Sequence, residues 1–400
     1  MKSQNLPMSE VRHPPYLVAI RDYLKAAEPD IWRWFSSAKF RAEYADNVRL
    51  DLLKTAYRLD RESHAPLHAQ AEDVLRRLGL AIPFTLYQSQ LSNSLNAALV
   101  YLPGEGHLLF SGPLLSTLSS PETGWVVAHE FSHHALFAGH DGEFHTADQI
   151  LNALAGHRRA QPSHVQSSRL FRLYSEINAD RGALAAFPDP LLAVSTLVKI
   201  ETGLKDVSPA GYLAQADEIF SKEKVSTREL THPEAFIRAR ALKLWADRGE
   251  DAETEIARMI EGTPALDDLD LVAQQRLTRL TKQVISHFLA RPALRSESLQ
   301  AHARLFFDDY SSVNEPLEEP PDLTSVDPSV QSYFCHLLLD FTAVDPQLED
   351  VPLAAAILES RALGLEDRFL TIALRELKLK KKALEKVKAE AEQILAKETP

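Results

Sequence analysis

The sequence predicts a mainly α fold of the α+β kind, with one small β-sheet. Three observations carry that expectation. Apolar residues recur three and four positions apart over most of the 400 residues. Between about 83 and 115 this pattern gives way to short runs rich in Leu, Val, Tyr and Phe, broken by turn residues. After about residue 250 the helical pattern resumes and runs to the C-terminus with one interruption. A chain of this length exceeds one hydrophobic core of ordinary size, so two domains are expected, residues 1–250 and 251–400.

Residues 16–80 read as helices, in YLVAIRDYLKAAEPDIWRWF, LDLLKTAYRLDRE and HAQAEDVLRRLGL, the last closed by Gly79 and Pro83. PFTLYQ, LNAALVYLP and HLLFSGPLL follow as two or three strands, separated by Ser-Asn-Ser and Pro-Gly-Glu-Gly. Pro121-Glu122 opens a helix through TGWVVAHEFSHHALF, with Ser119 or Ser120 as its cap and Gly139 near its stop. A polar stretch, GHDGEFH, precedes a short helix, ADQILNALAGHRR, which Pro162 and Ser163 interrupt. Another helix, SSRLFRLYSEINADRGALAAF, ends at Pro188, and PLLAVSTLVKIETGL and HPEAFIRARALKLWADRG come after it. In the second half, the acidic, proline-rich 314–329 reads as a loop. Near the C-terminus Leu377, Leu384, Val387 and Ile394 stand at heptad-like spacing, which suits an amphipathic helix docked on its own domain better than a coiled coil.

Composition narrows the function. A net charge of −12 argues against a basic field that would attract nucleic acid. No apolar run approaches the roughly 20 residues needed to span a bilayer. The start, MKSQNLPMSEVRHPP, lacks the apolar core of a secretory signal. The single cysteine, Cys335, allows neither an intramolecular disulfide nor a cysteine-rich metal site, and SYFCHLLLDF frames it as a buried apolar residue. A cytoplasmic protein is the expectation.

The strongest local signal is His129-Glu130-Phe131-Ser132-His133 within a predicted helix. Residues four apart share a helical face, so two imidazoles can converge on one ion at about 2.0–2.1 Å. The glutamate beside the first histidine can then take a proton from water on that ion. Apolar Val126, Val127 and Ala128 before the motif and Ala135, Leu136 and Phe137 after it mark a buried helix. Unpartnered imidazoles would be costly there. A second element, Glu176-Ile177-Asn178-Ala179-Asp180, puts two carboxylates one turn apart. Glu176 would complete a His₂Glu set, and Asp180 could accept the spare ring N–H of a ligating histidine. Alone, these two read better as ordinary polar positions of an amphipathic helix; beside the first motif they do not.

Taken together, the HEFSH helix, EINADRGAL, and a later Thr231-His232-Pro233 with Arg238 resemble the metallopeptidases related to HtpX and the CAAX prenyl endopeptidase. NAALVYLPGEGHLLFSGPLL, upstream of the motif, is also similar to that family. The resemblance covers about residues 50–245. It implies a zincin-like domain of the gluzincin branch with one zinc ion on His129, His133 and Glu176. It also implies Glu130 as general base and Asp180 as support for the ligands, with His232 and Arg238 at the cleft, contacting substrate or the developing oxyanion. The best-known members are integral membrane proteins, so this chain looks closer to the soluble ones. The implied function is a zinc endopeptidase acting on a protein or peptide substrate. The alternative is a non-catalytic or latent peptidase-like zinc protein that binds polypeptides in a chaperone-like way, with the C-terminal helices offering a surface for protein–protein contact.

Other histidines carry less. His134 is about 100° round the helix from its neighbour and reads as structural or solvent-facing. His140, His145 and His157 fall between the two motif helices as loop residues. For the substrate, GHLLF at 106–110 suggests an exposed sheet edge to which an extended peptide could add as a strand.

Overall fold

The protein is described here from a computed structural model covering residues 13–91, 94–222, 235–311 and 319–397. The fold is mainly α with a small mixed sheet of four strands. It divides into two compact units, Met1–Gly262 and Thr263–Pro400.

In the first unit, α1 (Pro15–Ala27), α2 (Pro29–Phe35) and α3 (Ala38–Thr55) lead into β1 (Ala56–Arg58). Two sequence expectations change here. YLVAIRDYLKAAEPDIWRWF is two helices, because Pro29 supplies no N–H to continue the first and instead opens the second. LDLLKTAYRLDRE is not helical throughout. It turns into a strand at Ala56, where Leu59 N–H donates to Leu86 O and Gln90 N–H to Thr55 O, so sheet pairing overrides helical periodicity.

After α4 (Ala65–Leu78) come β2 (Phe84–Ser89), β3 (Asn96–Leu102) and β4 (Glu105–Ser111), in the spatial order β1-β2-β4-β3. β3 and β4 form a hairpin in which Leu102 pairs with Glu105 across Pro103-Gly104, and β2 runs parallel to β4. Gly104 has φ +81°, the conformation that the third residue of a Pro-Gly turn needs. GHLLF therefore lies in a central strand, with both its edges paired. The sheet's edge strands are β1 and β3, a relation that alternation of side chains cannot reveal.

The short α5 (Leu114–Thr117) precedes α6 (Ser120–Ala138), which packs over β3 and β4. Glu122, three residues after Ser119, accepts from both the Ser119 N–H and its hydroxyl at 2.8 Å, which satisfies the start of the helix. Its other oxygen takes Lys199 at 2.8 Å and Ser195 at 3.1 Å, tying that start to α9 (Pro190–Thr202). Gly124 is required by packing: a Cβ there would meet Gln70 Nε2 and Phe187 Cζ at 2.9 Å. A left-handed turn at His140 and Asp141 leads to α7 (Glu143–Ala155). α8 (Pro162–Ala186) begins at the proline expected to interrupt, which suits a first helical turn. α10 (Pro209–Lys222), α11 (Ala235–Arg248) and α12 (Glu253–Glu261) finish the unit. α12 belongs to it because Glu253 pairs with the buried Arg181 at 2.8 Å and Glu261 accepts from Tyr174 OH at 2.5 Å. The core around the motif helix is Trp125, Val127, Phe131, Leu108, Phe110 and Ala183, all buried.

The second unit is helical throughout its described residues: α13 (Leu271–Leu289), α14 (Glu297–Phe306), α15 (Pro328–Thr342), α16 (Val351–Ala362), α17 (Glu366–Glu376) and α18 (Lys381–Lys397). α16 is apolar nearly all round and occupies the centre, as such a helix must. Leu384, Val387 and Ala391 of α18 are buried in this core, while Leu377 caps α17 instead of belonging to the same helix. Cys335 is buried among these side chains, which pushes its thiol up to about 11. Within the loop expected at 314–329, residues 312–318 lie outside the described residues. Leu323 docks through its N–H on Leu363 O, and Asp327 caps α15.

Among the described residues, no helix is long and apolar enough to cross a membrane.

Candidate metal centre

Three side chains from two helices converge in the first unit. α6 presents His129 and His133 on one face, one turn apart, and α8, packed against it, presents Glu176. The two Nε2 atoms are 3.2 Å apart. Glu176 Oε2 lies 3.3 Å from His129 Nε2, and Oε1 lies 3.3 Å from His133 Nε2. Ligands placed tetrahedrally at about 2.0–2.1 Å from an ion stand about 3.3–3.4 Å from one another. The two imidazole nitrogens stand at that spacing, and each faces its own oxygen of Glu176 at that distance; one ligand atom from each residue lies within 4.8 Å of the others, so the group could hold a metal ion.

Behind the triangle lies a layer of charge. Asp180, one turn beyond Glu176, puts Oδ1 at 3.0 Å from His129 Nδ1. Arg238 on α11 donates to both Asp180 oxygens, Nε at 2.8 Å and Nη2 at 2.6 Å, and places Nη1 3.0 Å from Glu176 Oε2. Planar guanidinium suits this two-carboxylate task better than an ammonium would. The groups set one another's protonation. Burial disfavours charge on Glu176, but Arg238 and the two imidazoles outweigh it and hold the carboxyl well below its usual range. Asp180 is likewise buried and is held low by Arg238 and His129. For His129, burial opposes the imidazolium, yet contacts with Asp180 and Glu176 raise it to about 10. Arg238 is raised further above its ordinary value against its own burial, by Asp180 and Glu176. Without metal the site therefore keeps a proton on His129. An ion arriving there must displace it.

The centre lines a cavity of about 380 Å³. α6 also contributes Trp125, Val126 and Glu130, α9 adds Leu197 and Ile200, and the edge strand β3 runs along it at Asn96–Leu99. Glu130 is buried and lies on the cavity wall beside both histidines.

Arg238, expected at the cleft, does line the cavity, but its guanidinium faces Asp180 and Glu176. His232, expected to join the site, lies outside the described residues. His134 is buried against Tyr101, ring centroids 5.1 Å apart, and burial pushes it down to about 4. His145 belongs to α7, not to a loop, and packs on Tyr101, Phe137 and Tyr44; burial again lowers it to about 4. His140 and His157 are exposed.

Three charged cavity residues, Arg172, Asp148 and Glu201, carry no motif in the sequence. Arg172 on α8 donates to Asn152 Oδ1 at 2.5 Å. Asp148 on α7 accepts from Asn152 Nδ2 at 3.0 Å, and burial raises its carboxyl to about 6, against the opposing influence of Arg172, Asn152 and His133. The signal for Asp148 was present: it sits on the apolar stripe of Phe144, Ala147 and Leu151, where an acid is out of place. Among the described residues no second group of three converging donors of this kind occurs. Comparison of the chain with protein families, with curated proteins and with solved structures returned no match.

Proposed function

We propose that the chain is a zinc-dependent endopeptidase, with the ion held by His129, His133 and Glu176. The observation that carries this reading is the convergence of two imidazole nitrogens, 3.2 Å apart, on the Glu176 carboxylate, whose two oxygens lie 3.3 Å from one and the other. That donor set suits zinc, whereas magnesium and calcium take oxygen ligands almost throughout. Three protein ligands are also what a catalytic zinc site uses, where a structural site closes with four. When bound, zinc supplies Lewis acidity, acidifying a water and polarising a substrate carbonyl.

The chain's own residues divide the remaining work. Asp180 Oδ1, 3.0 Å from His129 Nδ1, holds that ring so that Nε2 would be offered to a bound ion. Arg238 balances the charge of Glu176 and Asp180, so its role is to hold the ligand set and not to meet substrate. The Glu130 carboxylate accepts the proton of the attacking water and passes it to the leaving amine nitrogen. Main-chain groups of Asn96–Leu99 on the unpaired edge of β3 accept an extended peptide as an added strand. Binding through the main chain needs no chain terminus, which favours internal cleavage.

The test is bound zinc and casein cleavage for wild type and Glu130→Gln. Zinc retained at one ion per chain with cleavage lost is the expected result. Equal behaviour of the two proteins overturns the catalytic reading, and leaves a zinc protein that binds polypeptide without cutting it.

A further inference from the structure

Most buried carboxylates of the molecule have a partner that compensates their charge. Glu122 has Lys199, Glu176 and Asp180 share Arg238, and Glu359 has both His287 and Arg291. Three carboxylates on the cavity wall have no cationic side chain within ion-pair distance among the described residues: Glu130, Asp148 and the exposed Glu201, which water can solvate. Glu130 is accounted for by its place beside the ligands. Asp148 is not. Its one hydrogen bond comes from the Asn152 amide, whose oxygen in turn accepts from Arg172. The arginine nearest to Asp148 is thus directed to Asn152, and the amide passes its polarisation to Asp148 Oδ2. Asp148 is half-buried, and a carboxylate partly withdrawn from water without a counter-ion is unfavourable. In a substrate cavity the missing cation can come with the substrate.

We infer that Asp148 is the residue through which the cavity selects a positively charged group on its substrate. The inference rests on the peptidase reading and adds a substrate class to it. The group is an alkylammonium or guanidinium, from a Lys or Arg side chain near the scissile bond or from the free amino terminus of a peptide. The lining around it pairs charge with apolar surface: Trp125 and Val126 of α6 and Leu197 and Ile200 of α9 are apolar, and Asp148 of α7 faces the same cavity. A volume of about 380 Å³ admits one or two side chains and no folded partner.

The experiment uses the zinc-loaded full chain and matched fluorogenic peptides, with Lys or Arg replaced by norleucine or citrulline at each position around the cleaved bond. Each peptide is made with a free and an acetylated amino terminus. Wild type is expected to prefer the cationic peptide at one position by roughly tenfold or more in kcat/KM, the usual worth of a charge-assisted hydrogen bond. Asp148→Asn should bring that ratio close to one, and Asp148→Glu should keep part of it. A preference that disappears on acetylation assigns the cation to the terminus; one that survives assigns it to the side chain. Cleavage with no cationic preference, or a preference that Asp148→Asn retains, overturns the inference while leaving the peptidase reading intact. Failure of wild type to cleave any peptide counts against the peptidase reading instead. In that case, fluorescence anisotropy of the labelled peptides on Glu130→Gln, with and without Asp148→Asn, decides the inference by binding alone, and equal affinity for the lysine and norleucine peptides overturns it.

Discussion

Both units bury a cluster of histidine, carboxylate and arginine, and the two clusters are built to different ends. In the second unit, Glu359 is fully buried and both its oxygens face His287 Nδ1, at 2.7 and 2.8 Å, while Arg291 Nη2 lies 2.7 Å from one of them. The histidine and the arginine converge on one acceptor. In the first unit the order is reversed. Nδ1 of His129 is occupied by Asp180 and Arg238 neutralises the carboxylates, so the two Nε2 atoms and Glu176 converge on a point where no protein atom stands. A buried ion cluster is structural when its donors close on its own acceptors. It becomes a candidate site when imidazole nitrogens and a carboxylate face one another, because a metal ion can take the place of the proton between them.

That contrast can be broken at either end. The largest effect on stability is expected from Glu359→Gln, which strands Arg291 in the core. It should cost about 3–5 kcal/mol in chemical denaturation and leave metal content unchanged. An effect on bound metal would show that the two clusters are not separate in function. Next comes His133→Ala, which removes one of three ligands and should weaken zinc binding by at least about a hundredfold, read by competition with a chelator. His287→Ala, its counterpart, should not change zinc affinity. Asp180→Asn keeps all three ligands and should weaken zinc by about 10–100-fold, as loss of a carboxylate behind a ligating imidazole does.

The pH dependence follows from His129, whose proton is held up to about 10. Metal and proton compete for Nε2, so zinc affinity should rise with pH by about tenfold per unit between pH 7 and 9. The same shift has the opposite sign for the metal-free protein. A raised histidine contributes stability that is complete below about 6.5 and is lost as pH rises toward about 10. Thermal melts after chelation should therefore fall across that window, and zinc-loaded melts should not follow them. The smallest expected effect is at Asp148. Its carboxyl is raised to about 6, so ionising it costs stability above that pH and nothing below about 4. Asp148→Asn should stabilise the chelated protein by about 1–2 kcal/mol at pH 8 and leave it unchanged at pH 4.

Much of the contrast was legible in the sequence, and for physical reasons. The spacing of His129 and His133 is a statement about helical geometry, and it survives whatever surrounds the helix. Glu176 and Asp180 obey the same period, so their shared face could be expected even though their partner helix could not. Strand order could not be read, because alternation fixes which side chains share a face and is silent on which strand is next to which. For that reason 106–110 looked like an edge, whereas it is central and 96–102 is an edge strand. Ala56–Arg58 was hidden by the apolar spacing of the helix before it, and only pairing with β2 makes it a strand. Asp148 was visible as an acid on an apolar stripe, but its meaning depends on the cavity beside it, which is a property of α6, α7, α8 and α9 together.

The central claim is that His129, His133 and Glu176 close on one zinc ion. X-ray absorption at the zinc edge of the purified protein tests it most directly. The account predicts one zinc per chain, four-coordinate, with two imidazole nitrogens and carboxylate or water oxygen at about 2.0–2.1 Å, and the imidazole signal halved in His133→Ala. An all-oxygen shell, or an imidazole signal that His133→Ala leaves intact, would contradict it.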